Sequence, residues 1–199
     1  ANAVTIADGE TDTTFTDADT VSIADTALID LNAGDQFVSL TNSAATTLDF
    51  DTGTGILVIT GKVFSNANTM ALTINTGDHV QVGGGVDEDA GGVIDWDVEG
   101  SSILTINGST AVNIDSLIDG ASNAEGTLAI AGTNLKTFTA AIGTTNIDDI
   151  TVAANAEALM SAAVDAEGIS VISGTLTLNG VVKVDAIESV IGTLNLNNT

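Results

Sequence analysis

Acidic side chains are the abundant reactive groups of this sequence, and their densest cluster lies in a glycine-rich segment. Asp87, Glu88 and Asp89 stand between Gly83–Gly85 and Gly91–Gly92. Calcium binds six to eight oxygen atoms from carboxylates, backbone carbonyls and amide side chains at turns. The segment therefore predicts a calcium site, although its acids lack the spacing and the final glutamate of an EF-hand loop.

A second acidic segment lies near the start of the sequence. Asp8, Glu10 and Asp12 alternate with other residues in a turn-like stretch that also holds Gly9. The same preference of calcium for oxygen ligands makes these three acids the second candidate site. Calcium is the only cofactor that the sequence leads us to expect.

Two aspartate pairs raise a different possibility, the hydrolysis of sugars. Asp49 and Asp51 flank a phenylalanine, and Asp95 and Asp97 flank Trp96, so each pair shares one face of a strand, about 7 Å apart. Glycosidases use two carboxylates at such separations. Aromatic residues make up only 3% of the chain, too few for stacking platforms. A β-helical polysaccharide enzyme is therefore the third of three functions considered below.

Other catalytic and metal chemistry lacks the residues it needs. The chain has no cysteine and one histidine, His79, so no zinc or thiolate site can be assembled. No Gly-x-Ser-x-Gly nucleophile turn is present, and Gly61–Lys62 lacks the spacing of a phosphate-binding loop. We therefore predict that the protein is not an enzyme, and we name no catalytic residue.

Charge and hydrophobicity restrict the partners. The 199 residues contain 3 basic and 27 acidic side chains, for a net charge of −24. Nucleic acids and anionic membrane surfaces both require basic patches, so neither is an expected partner. Hydrophobic residues make up 44% of the chain, enough for a folded core, but no apolar run approaches the roughly 18 residues of a membrane span.

Short alternating segments dominate the sequence and predict strands. Apolar and polar residues alternate over four to six positions, and Gly, Asn or Asp separates one run from the next. Leu104–Gly108, Leu128–Gly132 and Leu176–Gly180 are the clearest examples. We expect one face of these strands to be buried through Leu104, Ile106, Leu128, Ile130, Leu176 and Leu178.

Internal repeats indicate how the strands are arranged. Asn123–Thr133 matches Asp165–Thr175. A strand candidate near the midpoint between the two copies suggests a structural unit of about 18 to 24 residues, a size that fits a mostly-β, solenoid-like stack of short strands. We predict a single elongated domain over 1–199. The alternatives are an antiparallel β-sandwich, or two domains over 1–100 and 101–199.

A few short helices are expected in the C-terminal half. Asn155–Ala166 is alanine-rich and free of glycine and proline, which favours a helix with Asn155 as its N-cap. The segments 116–122 and 185–190 fit one or two further helical turns.

In composition the whole chain resembles secreted bacterial and archaeal surface-layer and extracellular filament proteins, being rich in Ala, Thr, Gly, Asn and Asp, without Cys and nearly without Lys. The resemblance implies a secreted or cell-surface protein whose partner is itself. Short apolar strands near both termini offer edges for pairing between subunits. Their contact candidates are Val4, Ile6, Leu194 and Leu196. The alternative function is a monomeric adhesin or carbohydrate-binding module.

Overall fold

The computed structural model consists of β-strands and turns. It describes residues 3–6, 11–12, 20–23, 27–30, 36–37, 39–42, 45–52, 55–65, 67–88 and 92–197, with side-chain surroundings from residue 39 onward except at 51 and 88. No helix occurs among these residues. Every strand pair among them is parallel, as for β1 (Ala3–Ile6) with β3 (Thr20–Ile23). The fold is therefore a β-solenoid, which excludes the antiparallel sandwich.

The chain coils around an axis and lays down strands on three sides. Side 1 is a sheet of ten strands. Besides β1 and β3, they are β6 (Ser39–Asn42), β9 (Val63–Ser65), β12 (Val86–Glu88), β15 (Val112–Ile114), β18 (Leu135–Phe138), β20 (Glu157–Met160), β22 (Thr175–Leu178) and β24 (Thr193–Leu196).

Sides 2 and 3 are joined because three long strands bend from one side onto the other. Side 2 contains β2 (Thr11–Asp12), β4 (Ala27–Asp30), β7 (Thr46–Asp51), β10 (Thr69–Ile74), β13 (Val93–Val98) and β16 (Leu117–Gly120). Side 3 contains β5 (Gln36–Phe37), β8 (Ile56–Ile59), β11 (His79–Val82), β14 (Ile103–Asn107) and β17 (Glu125–Ala131). The joining strands are β19 (Ile142–Val152), β21 (Val164–Val171) and β23 (Val182–Val190).

The core is built from apolar side chains that align from coil to coil. Leu48, Leu72, Trp96 and Ile118 are register partners in succession on side 2, and all four are fully buried. Alternation along each strand directs every second side chain inward. The six residues predicted to be buried are confirmed, with exposures of at most 1% for Leu104, Ile106, Leu128, Ile130, Leu176 and Leu178.

The predicted coil length is confirmed at the strands that were clearest in the sequence. Leu104 has Leu128 as its register partner in the middle of the stack, and Leu176 has Leu194 near the C-terminal end. The first pair is separated by the upper bound of the predicted 18 to 24 residues, and the second pair by the lower bound. Both sheets continue past Gly100, where the sequence allowed a domain boundary.

The helix predicted over Asn155–Ala166 is wrong. Asn155 has φ of +62° at a turn, β20 follows, and β21 begins before the segment ends. Ala158 and Ala166 point inward, where small side chains fit a narrow coil. The ladder hydrogen bonds with the adjoining coils outweigh the helix propensity of this segment. The segments 116–122 and 185–190 likewise contain β16 and part of β23.

Candidate functional site

The last coil turns its inner side toward solvent. Leu194 and Leu196 of β24 are register partners of Leu176 and Leu178 of β22. The two β22 leucines are fully buried, whereas Leu196 is 62% exposed and Leu194 is only partly buried against the core. Positions that form the core in one coil therefore form a surface in the next.

The neighbouring strand β23 extends this apolar surface. Leu178, Val182, Val184, Ile187 and Leu196 line a hollow of about 350 Å³, which we call the end face. Val181, Val190 and Ile191 are further exposed apolar residues of the C-terminal coil. Clusters of exposed apolar side chains on soluble proteins mark interaction surfaces, because isolated ones are ordinary.

The backbone of the last coil is open as well. Within the described part of the chain, β24 pairs only with β22, and β23 pairs only with β21. At the other end, β3 is the one described strand that pairs with β1, and this pairing places Val4 beside Val21 and Ile6 beside Ile23. Such edges present N–H and C=O groups that can pair with another strand. The sequence-predicted contact residues therefore all lie on outermost strands.

The predicted calcium residues are placed only in part. Asp87 lies on β12 and forms an exposed ion pair with Lys62 of the preceding coil, at 2.6 Å between Nζ and Oδ2. Glu88 ends β12, and its side chain, like Asp89, lies outside the described residues. Among the described residues no group of three or more His, Cys, Asp or Glu side chains is placed to hold a metal ion.

The second candidate calcium site falls largely outside the described chain. Asp8 and Glu10 are not described, and Asp12 is described only as a backbone position of β2. Calcium binding at both segments stays a prediction.

A row of acids runs along side 2. Asp97 and Asp119 are direct register partners, and Asp119 accepts hydrogen bonds from the Thr144 backbone N–H at 2.6 Å and hydroxyl at 2.5 Å. Burial, and then the charge of Asp119, raises the pKa of Asp97. Burial, followed by the charges of Asp97 and Asp119, raises the pKa of Asp95. Ionising these carboxylates together is unfavourable because like charges lie close to one another.

One acid of the last coils, Asp165, has both an ion-pair partner and a hydrogen-bond partner. Lys183 Nζ lies 2.8 Å from Asp165 Oδ2, and Asn146 Nδ2 donates to Asp165 Oδ1 at 2.9 Å. Burial, and then the charges of Glu188 and Asp148, raises the pKa of Asp149. Asp165 is therefore paired with a lysine, whereas Asp97 and Asp119 have no ion-pair partner among the described residues.

The single histidine is a structural element of side 3. His79 is half-buried on β11, and its Nε2 lies 2.7 Å from Thr105 Oγ1 on β14. Burial lowers its pKa. The contact joins two adjacent coils through side chains.

Comparisons of the chain with known protein families, curated proteins and solved structures found no match. Among the described residues no helix is long and apolar enough to cross a membrane.

The end face was only partly visible in the sequence. Alternation in Val182–Asp185 marks which side chains point inward, but it does not show that these side chains are left uncovered by the other described coils. The acid row was missed because Asp97 and Asp119 are distant in sequence and meet only when the coil register is known. The end face and the acid row are therefore the two candidate binding surfaces described so far.

Proposed function

We propose that this protein is an extracellular structural protein whose copies stack end to end into a filament or layer. The observation that carries the proposal is the end face, where Leu196 is exposed although its register partner Leu178 is fully buried. A second copy placed on this surface would bury the same positions that the preceding coil buries, at a gain of about 25 cal/mol for each Å² of apolar surface.

A second copy fits this surface because its own first strand has the required polarity. Strands β1 and β24 belong to the same parallel sheet, so β1 of one copy can continue the ladder beyond β24 of another. Strand addition of this kind supplies backbone hydrogen bonds across the contact. The contact joins two different surfaces, so it does not close on itself, and repetition produces a filament.

The net charge sets a condition on assembly. At −24, copies repel one another at low salt, and counter-ions must screen or bridge them. Calcium is the cation that the abundant carboxylates favour. Assembly is therefore expected to increase with salt, and to increase further with calcium at constant ionic strength.

Single charges at the end face provide the first test. The parent chain at raised salt should form polymers in sedimentation and electron microscopy, whereas Leu196→Glu should remain monomeric. The matched control is Val93→Glu, which adds the same charge at an exposed position on side 2, away from the end face. A parent chain that is monomeric at all salt and calcium concentrations contradicts the proposal. Polymers of Leu196→Glu equal to those of the parent also contradict it.

Removal of the first strand provides the second test. Deletion of residues 1–7 removes β1, and we expect a folded monomer, because this strand lies at one end of its sheet, next to β3 and away from the middle coils. Circular dichroism checks the fold, and sedimentation checks assembly. Filaments formed by the shortened chain would exclude β1 as the pairing strand while leaving the Leu196 result to judge the end face.

A further inference from the structure

A second surface feature lies on side 3, far along the stack from the end face. A concave hollow of about 470 Å³ crosses four successive coils, and we call it the side groove. Thr60, Gln81, Asn107, Ser109 and Thr133 line it, together with Val58 and two glycines. Its volume lies within the range of ordinary ligand sites.

The lining of the side groove is uncharged. Charged residues make up 15% of the chain, yet the groove is lined by hydroxyl and amide side chains and by one valine. The Gln81 and Asn107 amides make no hydrogen bond to the described part of the chain, so their donors and acceptors are available. Neutral hydrogen-bonding groups in a concave site select a neutral, hydroxyl-rich ligand.

Two glycines form the floor because the coils approach too closely for a side chain. A Cβ at Gly83 would lie 2.8 Å from the Thr60 carbonyl oxygen, and a Cβ at Gly132, which has φ of +75°, would collide with the Gly108 carbonyl oxygen. Between the projecting side chains of Thr60 and Asn107, the missing side chain of Gly83 leaves a depression. The concavity is thus built into the coil packing.

The lining side chains occupy two neighbouring register columns. Val58 and Thr105 are the register partners of Gln81, and Ala131 is the partner of Asn107 on the following coil. The two amides therefore lie on adjacent strands and in adjacent columns. Four coils span about 14 Å, at a strand spacing of about 4.8 Å, so the groove admits a short run of linked sugars and not one sugar alone.

We infer that the side groove binds a neutral polysaccharide, which lies along the groove across successive coils. The Gln81 and Asn107 amides would hydrogen-bond to sugar hydroxyls, and the Ser109 and Thr133 hydroxyls would do so from the corner beside the groove. The surrounding negative charge disfavours acidic polysaccharides.

Affinity electrophoresis of the full chain in native gels tests this inference. Gels contain hydroxyethylcellulose as a neutral β-glucan, polygalacturonate as an acidic polysaccharide, or no polysaccharide. We expect retardation only by the β-glucan. The gels are run with the Leu196→Glu variant, in which the end face carries a charge. Retardation therefore does not depend on assembly or on the filament proposal.

A pair of double variants locates the binding. Gln81→Ala with Asn107→Ala should weaken retardation about tenfold, from the loss of two amide hydrogen-bonding groups. The control, Asn179→Ala with Asn195→Ala, removes two exposed amides from side 1 and should bind like the parent. Urea unfolding verifies that both remain folded. Absence of retardation by the β-glucan overturns the inference, and so do equal retardation by polygalacturonate and unchanged binding of the groove variant.

Discussion

The middle of the chain and its C-terminal end build coils of different size. In the middle, Leu72 has Trp96 as its register partner, whereas near the end Leu176 has Leu194, so the middle coil takes the longer stretch of chain. The coils near the end are shorter because they lack a turn between sides 2 and 3. Sides 2 and 3 use separate strands in the middle, but β21 and β23 run across both sides without a turn between them.

The interior changes with the perimeter. Wide coils enclose Phe50 and Trp96, whose rings stack with centroids 6.0 Å apart. Narrow coils place Ala156, Ala158 and Ala166 inside. Protein interiors are close-packed, so a shorter coil must carry smaller inward side chains. Coil length and the size of these inward side chains therefore change together along the chain.

Removal of the largest inward side chain should have the greatest effect. Trp96→Ala leaves a cavity in a wide coil whose neighbours cannot collapse fully, and we expect the free energy of unfolding to fall by about 3–5 kcal/mol. Urea unfolding followed by circular dichroism measures this, because the chain has no other tryptophan for fluorescence. A loss below about 1 kcal/mol would mean that the wide interior is not tightly packed.

The boundary between covered and uncovered coils is tested with one pair of register partners. Leu178→Ala should cost about 2–5 kcal/mol, because its side chain is fully buried. Leu196→Ala should change stability by less than about 0.5 kcal/mol in the monomer, because its side chain is exposed. Thermal and urea unfolding at low salt compare the two. Equal losses would show that the end face is covered within a single chain.

Enlarging an inward alanine tests the narrow interior directly. Ala158→Leu should destabilise the chain by about 1–3 kcal/mol through overpacking. Ala129→Leu, at an outward position of β17 in a wide coil, is the control and should stay within about 0.5 kcal/mol. A stabilising Ala158→Leu would reveal empty space that the narrow coil is not expected to hold.

The smallest expected effect concerns charge. The pKa values of Asp95 and Asp97 are raised in the folded chain, so the folded state holds more protons than the unfolded state above the ordinary aspartate pKa. Their contribution to stability is therefore greatest below that ordinary value of about 3.9, and it falls as the pH rises through the raised values. Unfolding measured between about pH 4 and pH 7 should show this decline.

A matched pair of neutral variants sharpens the contrast between the regions. Asp97→Asn should flatten the decline and stabilise the chain at neutral pH by up to about 1 kcal/mol, since it removes the repulsion with Asp119. Asp165→Asn should give no such gain, because Asp165 is paired with Lys183. If both variants stabilise alike, the pairing near the C-terminal end is not what distinguishes the regions.

Sequence alone predicted the fold well because alternation and repeat length are local properties. The pentads around Leu104, Leu128 and Leu176 show strand periodicity. A unit of about 18 to 24 residues cannot bury its own apolar face, so it must stack on its neighbours. The helix over 155–166 failed because propensity is a weak term. Alanines there fill a narrow interior, and this reason becomes visible only when the coil perimeter is known.

The candidate surfaces were harder to predict because they depend on register. The similar pentads Leu104–Gly108 and Leu176–Gly180 begin on side 3 and side 1 respectively, so similar sequences lie on different sides. Gln81 and Asn107 carry no motif, and only stacking brings their coils together. The apolar residues Leu194 and Leu196 of β24 were an exception, because the sequence alone identified them as contact candidates.

The short offset between register partners has a consequence for how the chain folds. Each added coil closes only the loop between one partner and the next, as from Leu104 to Leu128 or from Leu176 to Leu194, however long the stack already is. Loop-closure entropy rises with the logarithm of length, so a wide coil costs only about 0.3 kcal/mol more to close than a narrow one. Burial of larger side chains outweighs that difference. We therefore expect nucleation among the wide coils around Trp96, followed by propagation toward the narrow ones.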